Sequence, residues 1–211
     1  MSGFFANIGS TATLIAHNNV AVRMQEAGIP NEAVPPDTFL ESRRRKFYNG
    51  EGVELFYEPN ASTDGDSIVH FREADVIVAG DVFTTTQYPF IDVKNGGTVQ
   101  GEINALNDIL ERTVFEHEED GGTMIVPGHG YLSNEHEVLE YRDMVVIVRD
   151  RIRAMKDAGA SLAQVKAARL TADYDTRFGA NTGPWTTDMF VEAVYNTLPP
   201  KAAPARTGNA R

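Results

Sequence analysis

Two apolar segments that each end in a glycine and a potential metal ligand constrain this chain more than any other feature. Residues 76–81 end in Gly80-Asp81, and residues 123–130 end in Gly128-His129-Gly130. Both apolar runs have the length and the β-branched content of a buried strand. Because glycine lets the backbone bend sharply, Asp81 and His129 can project from the strand ends into a cleft. One carboxylate and one imidazole placed in this way indicate a hard-to-borderline cation such as zinc.

Composition narrows the class of protein and of partner. The chain has 211 residues, of which 42% are hydrophobic and 23% charged, as is typical of one globular domain. A net charge of −11 argues against a nucleic-acid or anionic-membrane partner, and we interpret the one basic run, residues 43–46, as a solvated face. There is no cysteine, which excludes disulfides and thiolate metal sites. No apolar run approaches the roughly 18 residues of a membrane span, so we expect no membrane contact.

Periodicity and capping signals give the order of the elements. Strands are predicted at residues 12–17, 53–57, 67–71 and 75–80, and before His129. Helices are predicted at residues 18–28, 98–114 and 135–158, after a capping box at Ser161, and from residue 187 to 198. Residues 29–50 are interpreted as a long surface connection. These patterns predict an α/β (or α+β) fold with sheets covered by helices, one domain over residues 1–198, and a disordered tail at 199–211.

Three loops carry a family resemblance: residues 62–67 (Ser-Thr-Asp-Gly-Asp-Ser), residues 80–83, and Pro127-Gly128-His129-Gly130. Their order and spacing resemble the metallo-β-lactamase superfamily of metal-dependent hydrolases. The resemblance implies an αββα sandwich with one or two zinc ions at one edge of the sheets. It also implies a metal-bound hydroxide that attacks an ester, thioester, amide or phosphoester of a small-molecule substrate. By position, Asp81 would be the catalytic aspartate that shares the metals, and His129 would be the last histidine ligand.

The chain also departs from the family pattern. The signature His-x-His-x-Asp-His, which supplies up to four ligands, is absent, since none of the five histidines has that spacing. Ser62 stands where the family most often has histidine, so Ser62 is expected to be a degenerate ligand position and Asp64 a residue that orients ligands or forms a turn. His136, close in sequence to the site, is a weak further candidate. Only two of the usual metal-ligand positions, Asp81 and His129, remain.

These departures leave two alternatives open. The chain is a fragment of a longer protein whose upstream sequence encodes the missing motif and an N-terminal β-hairpin layer, or it is a shortened relative that has lost the site. The second alternative predicts a catalytically silent, metal-free domain that binds a small ligand or a protein partner. An uncovered sheet would favour a homo-oligomer. We expect a soluble chain that is cytoplasmic by default, and a secreted or periplasmic location stays open if a signal precedes it.

Overall fold

A computed structural model describes residues 13–114 and 121–200 of the chain. Its centre is a five-stranded sheet in the order β3-β4-β5-β6-β7, in which β6 and β7 are parallel and the other neighbours antiparallel. The strands are β1 (Ile15–His17), β2 (Asp37–Phe39), β3 (Arg43–Tyr48), β4 (Glu51–Glu58), β5 (Asp66–Phe71), β6 (Val76–Thr84) and β7 (Met124–His129). The helices are α1 (Asn18–Glu26), α2 (Val99–Arg112), α3 (Glu135–Asp157), α4 (Leu162–Ala167), α5 (Asp175–Phe178) and α6 (Thr187–Thr197).

One face of the sheet is covered by helices. Because side chains alternate along a strand, Phe56, Ile68 and Ile77 all point to the same side. The apolar stripes of α2, α3 and α6 pack on them, and this forms the main core of the domain. Among the described helices, none combines the length and the apolar composition that a membrane-spanning helix requires.

The opposite face carries a smaller layer made of β1, β2 and α1. The parallel pair β1–β2 contributes Phe39, which packs on Val53 and Leu55 of β4. His17 is buried and stacks on the Tyr57 ring with the two ring centroids 3.6 Å apart. The described residues therefore contain the helix, sheet, sheet and helix layers in the expected order, with the second sheet made of two strands.

Most predicted elements are confirmed, and one prediction is wrong. The capping box at Ser161 is present, since its hydroxyl accepts from the Gln164 N–H while the Gln164 side chain accepts from the Ser161 N–H. Residues 29–50, however, are not a plain surface connection, because β2 and β3 both lie there. The basic run 43–46 belongs to β3, an edge strand whose charged side chains suit its exposed position. His117 and residues 201–211 of the predicted tail lie outside the described residues.

Candidate active site

The parallel pairing of β6 and β7 brings Asp81 and His129 together. The carboxyl ends of two parallel strands reach the same edge of a sheet, and the register pairs Gly80 with Pro127 and Thr84 with His129. The Asp81 Oδ1 atom lies 3.8 Å from the His129 Nε2 atom. Both side chains are open to solvent, with exposed fractions of 58% for Asp81 and 67% for His129. The structure thus joins the two residues that the sequence singled out.

Glycine is required at position 128 by close packing. A Cβ atom there would lie 2.5 Å from the Gly80 carbonyl oxygen and 2.9 Å from the Asp81 Oδ1 atom. Real Cβ atoms essentially never approach backbone this closely, so any side chain at position 128 would displace β6 or the Asp81 carboxylate. The two glycine-containing strand ends therefore fit against each other and set the separation of the two candidate ligands.

Two threonines hold the backbone on which His129 is carried. The His129 carbonyl oxygen accepts hydrogen bonds from the Thr84 hydroxyl and from the Thr85 N–H, both at 3.2 Å. The Thr85 hydroxyl in turn accepts from the Tyr131 N–H at 3.2 Å. Because both threonines are buried, these bonds fix the loop after β7 against the end of β6.

Ser62 lies beside Asp81, but its hydroxyl is already engaged. The side chain is buried, and its Oγ atom donates to the Phe90 carbonyl oxygen at 2.5 Å and lies 3.4 Å from the Asp81 carbonyl oxygen. The hydroxyl therefore connects three loops of this edge. In the position where histidine is usual in the family, the chain thus has a group that stabilises the loops through backbone hydrogen bonds.

Asp64 takes part in a structural contact on the side of α1. Its carboxylate forms an ion pair with Arg23, and its carbonyl oxygen accepts from the Asn19 side chain at 2.8 Å and the Tyr57 hydroxyl at 2.9 Å. The Asp66 carboxylate accepts from the Thr63 N–H and hydroxyl, which forms the turn expected from this sequence. These contacts tie the 62–66 loop to the small layer of the fold.

A second carboxylate behind the site was missed at the sequence level. Glu102, in the first turn of α2, is fully buried, and neither of its carboxylate oxygens has a hydrogen-bond partner among the described residues. Burial raises the pKa of Glu102 well above its usual value, and the Asp66 and Asp81 carboxylates raise it further. Burial likewise raises the pKa of Asp66, against the opposing hydrogen bonds from Thr63. Both pKa values are therefore shifted upward behind Asp81.

The sequence did contain a signal for Glu102. It follows Val99 by three positions and precedes Leu106 by four, so it falls on the apolar stripe of α2. An acidic residue in the first turn of a helix usually faces solvent and interacts favourably with the helix dipole. For this reason the sequence alone did not predict that Glu102 is buried.

The donor set at this edge is incomplete for zinc. A catalytic zinc site uses three protein ligands and a water molecule. In residues 13–114 and 121–200, no group of three or more histidine, aspartate or glutamate side chains is arranged to hold a metal ion. Asp81 and His129 have suitable chemistry and spacing for two ligands, but the residues described do not complete a site around them.

Comparison with known proteins identifies the fold. No protein-family model matches the sequence, and no curated protein is significantly similar to it. A metallo-beta-lactamase from Pontibacter korlensis superimposes with a TM-score of 0.51 at 12% identity, over 64% of this chain and 58% of its own. The DIM-1 metallo-beta-lactamase gives a TM-score of 0.50 at 12% identity, over 64% of this chain and 57% of its own. The inverting sec-alkylsulfatase Pisa1 from Pseudomonas sp. gives 0.54 at 13% identity, over 77% of this chain and 26% of its own.

These similarities concern architecture and not chemistry. The chain spans somewhat more than half the length of the two lactamases and about a quarter of the alkylsulfatase. At 12–13% identity, proteins that share a fold can act on unrelated substrates, as the lactamases and the sulfatase themselves do. The structure and these neighbours together confirm that the described part of this chain has the metallo-β-lactamase fold.

Proposed function

We propose that this chain belongs to a zinc-dependent hydrolase in which Asp81 and His129 supply two metal ligands and donors from outside the described residues supply the others. The observation that supports the proposal is the 3.8 Å separation of the Asp81 and His129 side chains at adjacent parallel strand ends of a metallo-β-lactamase fold. When bound, zinc would supply an acidified water for attack on an ester, thioester, amide or phosphoester. The net charge of −11 favours a small-molecule substrate over a nucleic acid.

Residues of this chain have roles that do not depend on the identity of the substrate. Gly128 keeps the Asp81 carboxylate and the His129 loop in contact, and Thr84 and Thr85 hold the His129 backbone. Ser62 connects the loop of Phe90 to the end of β6. These contacts would hold both ligands in place before a metal arrives, which reduces the cost of ordering them on binding.

The zinc content of the complete gene product tests this proposal. The protein is expressed from its whole gene, purified, incubated with zinc and desalted. We expect about one to two zinc ions per chain, and a loss of at least half on Asp81→Ala or His129→Ala. His136, the weaker candidate, serves as the matched control: its Nε2 atom lies 3.2 Å from the Glu140 Oε1 atom within α3, and its exposed fraction is 67%, the same as that of His129. Zinc retention that is unaffected by the Asp81 and His129 variants contradicts the proposal.

A second candidate function follows from the state of Ser62. Its hydroxyl already donates a hydrogen bond to the Phe90 carbonyl oxygen. Among the described residues, no third metal ligand joins Asp81 and His129. Both features favour a metal-free domain that binds a small ligand or a protein partner without catalysis. This candidate predicts that the complete gene product retains less than about 0.1 zinc ion per chain after desalting.

A further inference from the structure

A cavity, which we call the arginine cavity, lies at the end of the sheet opposite Asp81. It has a volume of about 470 Å³ and is lined by Arg43, Arg72 and Arg112 together with His70 and Phe56. Asp75, which also lines it, comes directly before the first residue of β6, whereas Asp81 lies near the far end of that strand. The cavity is therefore separate from the edge that carries Asp81 and His129.

The arginine cavity has more positive than negative charge. Glu54 is buried, and a single carboxylate serves three guanidinium groups. The Glu54 Oε1 atom lies 2.5 Å from Arg45 Nε and 3.9 Å from Arg43 Nη1, and Oε2 lies 3.4 Å from Arg72 Nη1. The cavity lining therefore has three guanidinium groups against two carboxylates, Glu54 and Asp75, and Glu54 is also shared with Arg45, so Arg43 and Arg72 are only partly neutralised. This excess occurs in a chain whose net charge is −11.

Two buried nitrogen atoms of the cavity have no hydrogen-bond partner among the described residues. They are the Nε2 atom of His70 and the Nε atom of Arg112. His70 is only 8% exposed, and its Nε2 atom is 3.5 Å from the Asp75 Oδ1 atom. Buried polar atoms are nearly always hydrogen-bonded in folded proteins, so these two depart from the usual pattern. Both belong to residues that line the cavity, but the atoms themselves have almost no accessible surface and lie behind its wall.

Arg112 is held in a fixed orientation. Its guanidinium carbon lies 3.7 Å from the centre of the Phe56 ring, and its Nη2 atom donates to the Asp108 carboxylate at 2.7 Å. Stacking on the aromatic ring and the ion pair with Asp108 keep the guanidinium plane in place, and the Asp108 carboxylate offsets part of its charge. An anion in the cavity would therefore meet an arginine whose side-chain entropy has already been lost.

The cavity is larger than a single small ion needs. A neighbouring cavity of about 410 Å³ shares Arg43, Phe56 and Arg112 and adds the hydrogen-bonding side chains of Asn104 and Asp108. Volumes of about 300–1,000 Å³ are typical of sites for small organic ligands. The positive charge at one end and the neutral and acidic hydrogen-bonding groups at the other suit a ligand with one anionic group and a polar body.

We propose that the arginine cavity binds the phosphate group of a phosphorylated small molecule. Arg43 and Arg72 would contact the phosphate oxygens, with the Arg112 guanidinium and the His70 ring in the wall beside them. A phosphate monoester carries about −1.5 to −2 charges at neutral pH and accepts several hydrogen bonds. It therefore suits an excess of guanidinium groups better than a ligand with a single carboxylate group does. This site is independent of metal binding at Asp81 and His129.

The test is a titration of the whole 211-residue chain with glycerol 3-phosphate, inorganic phosphate and acetate at constant ionic strength. The chemical shifts of the arginine Nε–H groups and of the His70 ring are followed by NMR. We expect saturable shifts of His70 and Arg112 with both phosphates, and weaker binding of acetate. Arg72→Gln or Arg43→Gln should weaken the binding by about tenfold, the order expected for one charge-assisted hydrogen-bonded contact.

Arg169→Gln is the matched control. It removes the same charge from a side chain that is 76% exposed, follows α4 and does not line the cavity. We expect this variant to change phosphate affinity less than about twofold, because the charges of distant exposed side chains are largely screened. Shifts that never saturate, an equal loss for Arg169→Gln and Arg72→Gln, or tighter binding of acetate would each overturn the proposal. Residues 115–120, which carry four acidic side chains, are present in the tested chain, so any competition from them is included.

Discussion

Replacing Glu58 with glutamine is expected to change how the stability of the protein depends on pH. Glu58 is the last residue of β4 and is buried, and one of its carboxylate oxygens has no hydrogen-bond partner among the described residues. Burial raises the pKa of Glu58 to about 9, and the neighbouring Asp108 carboxylate, to which Glu58 hydrogen-bonds, adds to this rise. The folded protein therefore keeps a proton on Glu58 at neutral pH that the unfolded chain releases.

The sign and size of the effect follow from this difference in pKa. A carboxyl group whose pKa is raised on folding stabilises the folded state fully below its unfolded pKa of about 4.5, and this contribution is lost as pH rises toward 9. Within that window the free energy of unfolding falls by up to about 1.4 kcal/mol per pH unit for this one group. Between pH 5 and pH 8, Glu58→Gln should therefore gain up to about 4 kcal/mol relative to the wild type. Glutamine keeps the shape of the protonated acid and can still donate to Asp108.

Urea denaturation at several values of pH, followed by circular dichroism, measures this difference. Near pH 5 the free energies of unfolding of wild type and Glu58→Gln should be similar, and they should diverge as the pH rises. Glu111→Gln, a change of an exposed glutamate on α2, is the control and should follow the wild type. Parallel curves for wild type and Glu58→Gln from pH 5 to pH 8 would refute the reasoning, because they would show that Glu58 is ionised in the folded protein.

Two further substitutions test packing near the site. Gly128→Ala should lower the free energy of unfolding by about 1–3 kcal/mol and shift the NMR signals of Asp81, because its Cβ atom would overlap the Gly80 carbonyl and the Asp81 carboxylate. Gly121→Ala, whose Cβ atom would meet nothing within 4 Å, should cost much less, and equal costs would contradict this explanation. Tyr88→Phe should cost about 1–2 kcal/mol in urea denaturation, because the buried hydroxyl lies 3.1 Å from the Thr171 carbonyl oxygen and 2.9 Å from Asp175 Oδ1. Tyr48→Phe, at a site that is 48% exposed, should be nearly neutral, and a similar loss there would show that the Tyr88 hydroxyl contributes little.

The sequence predicted the elements whose signals are local. Strands β4, β5 and β6, the long helix α3 and the capping box at Ser161 follow from alternation, helical periodicity and capping residues. The meeting of Asp81 and His129 was also expected, because each follows an apolar strand that ends at a glycine.

The sequence could not predict features that depend on tertiary contacts. Strand β3 carries four consecutive basic residues, which lowers its intrinsic strand propensity. It forms because it pairs with β4 and because Glu54 and Asp37 form ion pairs with its basic side chains. The burial of His70 and Glu102 likewise depends on which helix covers which face of the sheet. When an acidic residue falls on the apolar face of a helix, the sequence alone does not show whether its side chain is buried with that face or turned toward solvent.

Zinc titration of the 211-residue chain, followed through the histidine ring signals by NMR, tests the central claim most directly. The comparable exposed pair of His136 and Glu140 also contacts the Arg177 guanidinium, whereas in the described part of the chain Asp81 is paired with no lysine or arginine. A nearby cation disfavours zinc, so His129 should respond at lower zinc concentration than His136 and should lose this response in Asp81→Ala. A response of His136 before His129, or a His129 response that Asp81→Ala leaves unchanged, would contradict the assignment of Asp81 and His129 as paired metal ligands.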